Sequence, residues 1–169
     1  MVNFVAENKS NFVIIPEDKN QAAVYAAKEL KKYVFLSTGA ILWIKGDTSL
    51  NQYRFYIGKK YFEKCSDVDI DLNGDGFILK ISKNEIYLTA KTDRGLIFGV
   101  YRFLEKYLGI RFFNYDCEKI PETDNLILQE TTHIEKPTFA MRSYLITATW
   151  QGHSAFNLSD VSFFCCLLC

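Results

Sequence analysis

The chain is poor in the residues that announce specialised chemistry. Its 2 histidines, His133 and His153, belong to no His-Glu-x-x-His and to no close Cys/His cluster, so no zinc site can be read from spacing. No motif asks for a cofactor. Charge of one sign is also missing: 20 basic against 20 acidic residues give a formal net charge of zero, which removes the field that draws phosphate backbones or anionic lipid to a surface. Neither nucleic acid nor a membrane is expected as a partner. No run of about 18 apolar residues occurs, and Met1-Val2-Asn3-Phe4 lacks the basic, then apolar, then small-residue order of a secretory signal. The compartment stays open between bacterial cytoplasm and export with a signal already removed. Five cysteines are present, but Cys165, Cys166 and Cys169 crowd the end, leaving Cys65 and Cys117 in the body. That is no disulfide framework, and a chain long enough to bury a core does not need the single bridge.

What is there is a core. With 49% hydrophobic, 24% charged and 15% aromatic residues, the composition is that of one globular domain, and the length leaves room for a fragment of another. Phe12 to Ile15, closed by Pro16, reads as a strand, with Asn3 to Ala6 as an edge strand beside it. From Asn20 to Leu36, Ala23, Ala26, Ala27, Leu30, Tyr33 and Val34 recur at three and four, the spacing of an amphipathic helix capped by Asp18 or Asn20 and ended by Gly39. Ile41 to Lys45 and Tyr53 to Ile57 read as two buried strands. Phe77 to Ser82 and Glu85 to Ala90 flank Lys83-Asn84, a two-residue hairpin connection in which Asn84 tolerates positive φ. Thr92 or Asp93 caps a second helix to Leu108, stopped by Gly109, with Leu96, Val100, Phe103, Leu104 and Tyr107 on one face. Ile110 to Phe113 and Asn125 to Gln129 read as further strands. Helices interspersed with strands and a hairpin predict an α+β fold, a mixed sheet with two main helices packed on one face.

Composition shifts after Arg142. From Ser143 to Cys169 there is no Lys or Arg, and Asp160 is the only acid. Phe139 to Thr147 reads as one strand, but nothing remains in the chain to cover the apolar end from Phe163 to Cys169, which points to a truncated or frame-shifted terminus; the plainer alternative is a last strand or helix tucked into the core.

Several motifs invite a chemical reading. Asp71-Leu72-Asn73-Gly74-Asp75-Gly76 matches the first half of a calcium loop, but Ser82 falls where a bidentate carboxylate is needed and the flanks read as strand, so a turn launching Phe77 is expected. Asp93-Arg94-Gly95 opens a helix, where free N–H groups attract anions. Gly95 and Gly99 lack the context of a dinucleotide fingerprint and are expected to let the helix approach the sheet closely. A glycosidase needs two carboxyl groups roughly 5–10 Å apart on a cleft floor. Asp67, Asp69, Asp71 and Asp75 read instead as a solvated loop. Cys117, His133 and the serines form no recognisable nucleophile motif.

Taken together, a series of segments is similar to one known domain: Ala26-Ala27-Lys28-Glu29-Leu30-Lys31-Lys32-Tyr33 with Ser37-Thr38-Gly39-Ala40; Asp75-Gly76-Phe77; Thr92 through Glu105; Leu108-Gly109-Ile110-Arg111-Phe112-Phe113; and Lys136-Pro137-Thr138-Phe139-Ala140-Met141-Arg142. In order and spacing, over about residues 10 to 142, they resemble the N-terminal domain that precedes the catalytic (β/α)8 barrel of family 67 α-glucuronidases, family 20 β-N-acetylhexosaminidases and related bacterial glycosidases. The resemblance implies a zincin-like topology without metal, carried by residues 1–136 and not itself catalytic, and a truncated start of the barrel with an aberrant tail at 137–169. It implies that the chain's partner is that barrel and that carbohydrate reaches it through the barrel. The Pro-x-Phe-x-x-Arg segment enters the first barrel strand in the hexosaminidases, which places Arg142 on the sugar; a guanidinium suits this because its planar donors fork onto hydroxyls or a carboxylate. The acid/base and nucleophile of these families lie on later barrel strands, and a barrel needs about 200 residues or more, so no activity is expected of this chain alone. Two rivals stand beside this reading. One is an independent carbohydrate-binding module using exposed aromatics, Trp43 or Tyr61. The other is a small complete enzyme using Arg142, His153 and Asp160; in the barrel reading, Trp150 and His153 line the start of a sugar site.

Overall fold

Both main helices form where their spacing places them, and their caps explain why. The structure is a computed structural model that describes residues 1–45, 53–65, 71–72, 74–114 and 116–138. In chain order the elements are β1 (Val2–Val5), β2 (Phe12–Pro16), α1 (Gln21–Thr38), β3 (Trp43–Ile44), β4 (Tyr53–Ile57), a 3₁₀ turn (Lys59–Tyr61), α2 (Phe62–Cys65), β5 (Phe77–Ile81), β6 (Glu85–Ala90), α3 (Asp93–Leu108), β7 (Arg111–Asn114), β8 (Cys117–Lys119), β9 (Leu126–Leu128) and β10 (Thr131–Glu135). Asn20 caps α1, its Oδ1 accepting from the Ala23 N–H at 3.1 Å, and Thr92 caps α3, its Oγ1 accepting from Gly95 at 3.0 Å. Each such cap contributes about 1 kcal/mol. Both helices end on a left-handed glycine, Gly39 at φ 70° and Gly109 at φ 68°.

Six strands make the main sheet in the order β10-β5-β6-β4-β2-β3. The pairs β2/β3, β2/β4 and β4/β6 are parallel, while β5 runs antiparallel to both β6 and β10. Five strands therefore point one way and β5 alone points back. Strand alternation splits the sheet's side chains between two faces. Phe12, Ile14, Phe55, Ile57, Phe77, Leu79, Ile81, Ile86, Leu88 and Ala90 meet the apolar stripes of α1 and α3 in one continuous core. Its centre is aromatic: Phe4, Phe12, Phe55 and Phe103 are at most 1% exposed, with ring centroids 4.8–6.1 Å apart. On the opposite face a smaller cluster joins Ile78 and Tyr87 to Tyr61, Cys65 and Leu72. The α+β fold with a mixed sheet and two main helices on one face is what the sequence predicts.

Three local expectations are corrected, and two strands form where none is expected. β1 does not edge β2; it pairs antiparallel with β9 in a separate two-stranded sheet, which carries Phe4 into the core over the helices' end of the main sheet. β3 is two residues long and forms an edge, so Trp43 is 58% exposed where a buried strand was expected. The β5–β6 hairpin forms with Ser82 N–H donating to Glu85 O at 2.9 Å, but Asn84 is not among the residues of positive φ, so the turn closes without a left-handed residue there. β8 and β10 carry no strong strand signal, yet β8 closes a hairpin on β7 and β10 forms an edge of the main sheet. No helix among the described residues is long and apolar enough to cross a membrane. The strand expected over 139–147 and the tail beyond it lie outside the described residues, as does Asn73 of the Asp71–Gly76 turn.

Candidate functional site

The carboxyl ends of parallel strands are where open α/β sheets gather their ligands, because loops and helix starts converge there. Here that rim holds Glu17, Asp18 and Asn20 after β2, Lys45 after β3, Gly58 and Lys59 after β4, Thr92 to Arg94 after β6, and Lys136 after β10. The rim is tied together by charge. Glu17 accepts the Lys59 backbone N–H at 2.7 Å, and the Asn20 amide lies 3.3 Å from Glu17 Oε2 and 3.4 Å from Asp93 Oδ1. Lys59 Nζ meets the same Asp93 oxygen at 2.9 Å, and this bond raises the Lys59 pKa. Lys45 pairs with Asp18, whose pKa that hydrogen bond lowers. Gly58 is needed for space: a Cβ there would sit 2.5 Å from Glu17 Cβ.

Glu17 and Asp93 are thus two carboxylates sharing one amide donor, and a pair of acids is what a glycosidase requires. Their surroundings do other work. A general acid keeps its proton by sitting in a dry pocket, whereas Asp93 is 59% exposed and both acids are already satisfied by donors on neighbouring loops. The network fastens the start of α1 to the start of α3. The sequence marks Asn20 and Asp93 only as helix starts and gives no sign of Glu17 or Lys59, because their meeting depends on sheet order.

The Asp71–Gly76 motif behaves as a turn. Gly76 N–H donates to Leu72 O at 3.1 Å, Gly74 is left-handed, and Leu72 is buried. Asp75 spends its oxygens on Thr92 Oγ1 (2.9 Å) and Arg94 (3.4 Å), fixing the α3 cap, and Ser82 lies in the far hairpin turn. Among the described residues no three His, Cys, Asp or Glu side chains gather as a metal site. Gly95 and Gly99 do let α3 approach the sheet: a Cβ at Gly95 would lie 2.8 Å from Ala90 Cβ, and one at Gly99 2.6 Å from Leu88 Cδ1.

Where the chain leaves β10, Glu135 Oε2 takes Arg102 Nε at 3.0 Å and faces His133 Nε2 at 3.2 Å, and Arg102 also pairs with Glu105. This latch holds the last described strand onto α3. Behind the helices, Tyr33 donates to Glu118 and Tyr101 to Glu29, each at 2.7 Å; burial first, and the adjacent carboxylate second, hold both phenols well above their ordinary pKa. Cys65 and Cys117 are both free, the first buried against the sheet with its thiol pushed up to about 11 by desolvation, the second exposed on β8. Of the aromatics proposed for sugar stacking, Tyr61 is buried and Trp43 is exposed. Arg142, Trp150, His153 and Asp160 lie outside the described residues, so the structure brings none of them to the rim or away from it.

No protein-family model matches this chain, and no curated protein matches it. Solved structures do. A β-hexosaminidase mutant from Streptomyces plicatus, in complex with the product GlcNAc, is 15% identical with a TM-score of 0.55 over 83% of this chain and 24% of its own. The GH20 β-N-acetylhexosaminidase of Streptomyces coelicolor A3(2) gives 15% and 0.55 over 83% and 25%. A family GH115 4-O-methyl-α-glucuronidase with specificity for decorated arabinogalactans gives 13% and 0.55 over 82% and 19%. The chain spans about a quarter of the length of these enzymes or less. At such identities the likeness is one of fold: this α+β arrangement also occurs within glycoside hydrolases.

Proposed function

We propose that this chain is the N-terminal, non-catalytic domain of a carbohydrate-degrading glycoside hydrolase, α-glucuronidase-like or β-N-acetylhexosaminidase-like, which supports a catalytic (β/α)8 barrel. The observation that carries the reading is the fold shared over 83% of this chain with about a quarter of a hexosaminidase, a proportion that suits an accessory domain of a longer enzyme. The rim supports it: Glu17 and Asp93 are committed to Lys59 and Asn20 rather than held free for chemistry. In this reading the zincin-like topology and the division at residue 136 accord with the resemblance. Arg142 enters the first barrel strand and reaches sugar, and the groups that cut the glycosidic bond belong to the barrel.

The purified chain, incubated with aryl-glucuronides and aryl-N-acetylhexosaminides, is expected to release no phenol above the rate of buffer. Turnover that disappears in Arg142→Ala would overturn the reading in favour of a small complete enzyme. The exposure of Trp43 gives the rival binding-module reading its one support, while the burial of Tyr61 removes the second member of an aromatic row.

A further inference from the structure

The outer face of α1 carries apolar and basic side chains and no acid. At about 100° per residue, Tyr25, Lys28, Lys32, Phe35 and Leu36 fall within an arc of about 100°, opposite the buried stripe of Ala23, Ala27, Leu30 and Val34. The only acid of α1, Glu29, lies to one side, where it accepts the Tyr101 hydroxyl at 2.7 Å. Three large apolar side chains in the arc stand open: Tyr25 is 41% exposed, Phe35 50% and Leu36 46%. Lys28 and Lys32 are exposed between them, and among the described residues neither makes an ion pair. Lys32 Nζ lies 4.6 Å from the Tyr33 ring centroid, a contact that leaves its charge unneutralised. From Tyr25 to Phe35 the stripe runs about 15 Å along the helix axis, at 1.5 Å per residue.

We propose that this stripe is a docking surface for an acidic polypeptide segment bearing aromatic or aliphatic side chains, whose carboxylates meet Lys28 and Lys32 while its apolar groups cover Tyr25, Phe35 and Leu36. Charge complementarity sets the sign of the partner. Exposed apolar groups edged by uncompensated cations are the pattern of a protein contact with an acidic surface. A second copy of the chain fits less well. In an antiparallel pairing that lays Tyr25 on Phe35 of a second copy, the register sets Lys28 against Lys32, and like charges facing across an interface repel. A lipid surface also fits less well: an interfacial helix buries its apolar side chains about 5–10 Å deep in a bilayer, whereas these three are half sunk among their neighbours. A segment of protein reaches them where they lie. The surface belongs to one helix and stands whether or not a barrel follows this domain.

The probe is fluorescein-labelled poly(Glu,Tyr), an acidic and aromatic copolymer, titrated with the full chain and followed by anisotropy. Saturable binding that weakens as ionic strength rises is expected. Lys28→Glu combined with Lys32→Glu is expected to weaken it about tenfold, and Phe35→Ser severalfold. Both changes lie on an exposed helix face, so the melting temperature is expected to stay nearly unchanged. Lys9→Glu combined with Lys83→Glu makes the same change in net charge at two exposed lysines away from α1, and is expected to leave the affinity as it was. Equal loss in that control, or equally tight binding of polyglutamate, would reduce the stripe to unspecific positive charge and overturn the proposal. Absence of binding would overturn it too, as would binding that Phe35→Ser leaves untouched. Phosphatidylserine vesicles that sediment the chain, and fail to sediment Phe35→Ser, would assign the stripe to a lipid surface instead. Self-association abolished by Phe35→Ser would assign it to a second copy. None of these outcomes bears on whether the chain hydrolyses aryl-glycosides, so the two readings fail separately.

Discussion

Phe103→Ala is expected to lower the free energy of unfolding by about 3–5 kcal/mol, the cost of removing a buried aromatic ring and leaving its cavity. The ring is 1% exposed and lies 5.6 Å from Phe4, 5.4 Å from Phe55 and 5.0 Å from Tyr107, centroid to centroid. It therefore joins α3 to the main sheet and to β1, which belongs to a different sheet. Phe4 and Phe55 are themselves fully buried and in ring contact with each other, so of the neighbouring rings only the partly buried Tyr107 has room to move toward the space. The cavity should persist and the loss fall toward the upper part of the range. Urea unfolding followed by circular dichroism measures it, and a change no larger than about 0.5 kcal/mol, ordinary for a surface position, would mean that this ring is not at the core.

Gly76→Ala carries the second large effect, expected at about 1–3 kcal/mol or more for forcing atoms into filled space. A Cβ at Gly76 would stand 2.3 Å from Leu72 O and 2.7 Å from Glu135 O. Both obstacles are backbone, so neither can rotate aside. Glu135 is the last residue of β10, so one methyl group presses on the turn and the exit strand together. A lowered melting temperature with faster proteolysis after Glu135 is the expected result. An unchanged melting temperature would show that β10 does not close over this turn.

The helices were legible because their signals are local. Asn20, Gly39, Thr92 and Gly109 mark ends by chemistry acting within one turn, and Leu96, Val100, Phe103 and Leu104 mark a face by spacing alone. The β5–β6 pairing was legible for the same reason, a short connection between two apolar runs. β1 was misassigned because its partner, Leu126–Leu128, lies at the other end of the described chain, and nothing in Val2–Val5 says which strand will be beside it. β10 was missed because Thr131-Thr132-His133-Ile134-Glu135 has one strongly apolar residue; its inner positions are a histidine beside Phe77 and a glutamate fixed by Arg102, both satisfied by tertiary contacts. Trp43 was expected inside because aromatic residues favour strands, but β3 is a two-residue edge strand and, among the described residues, no strand lies on its outer side.

Central to this reading is a finished domain within residues 1–138, with a stability independent of residues 139–169. Urea unfolding of residues 1–138, set beside that of all 169, tests this most directly. A single cooperative transition with the same midpoint and the same slope is expected in both, since the described core draws on residues from Val2 to Leu128. A shorter chain that unfolds without cooperativity, or at markedly lower urea, would contradict the claim by showing that residues after Thr138 belong to the same core.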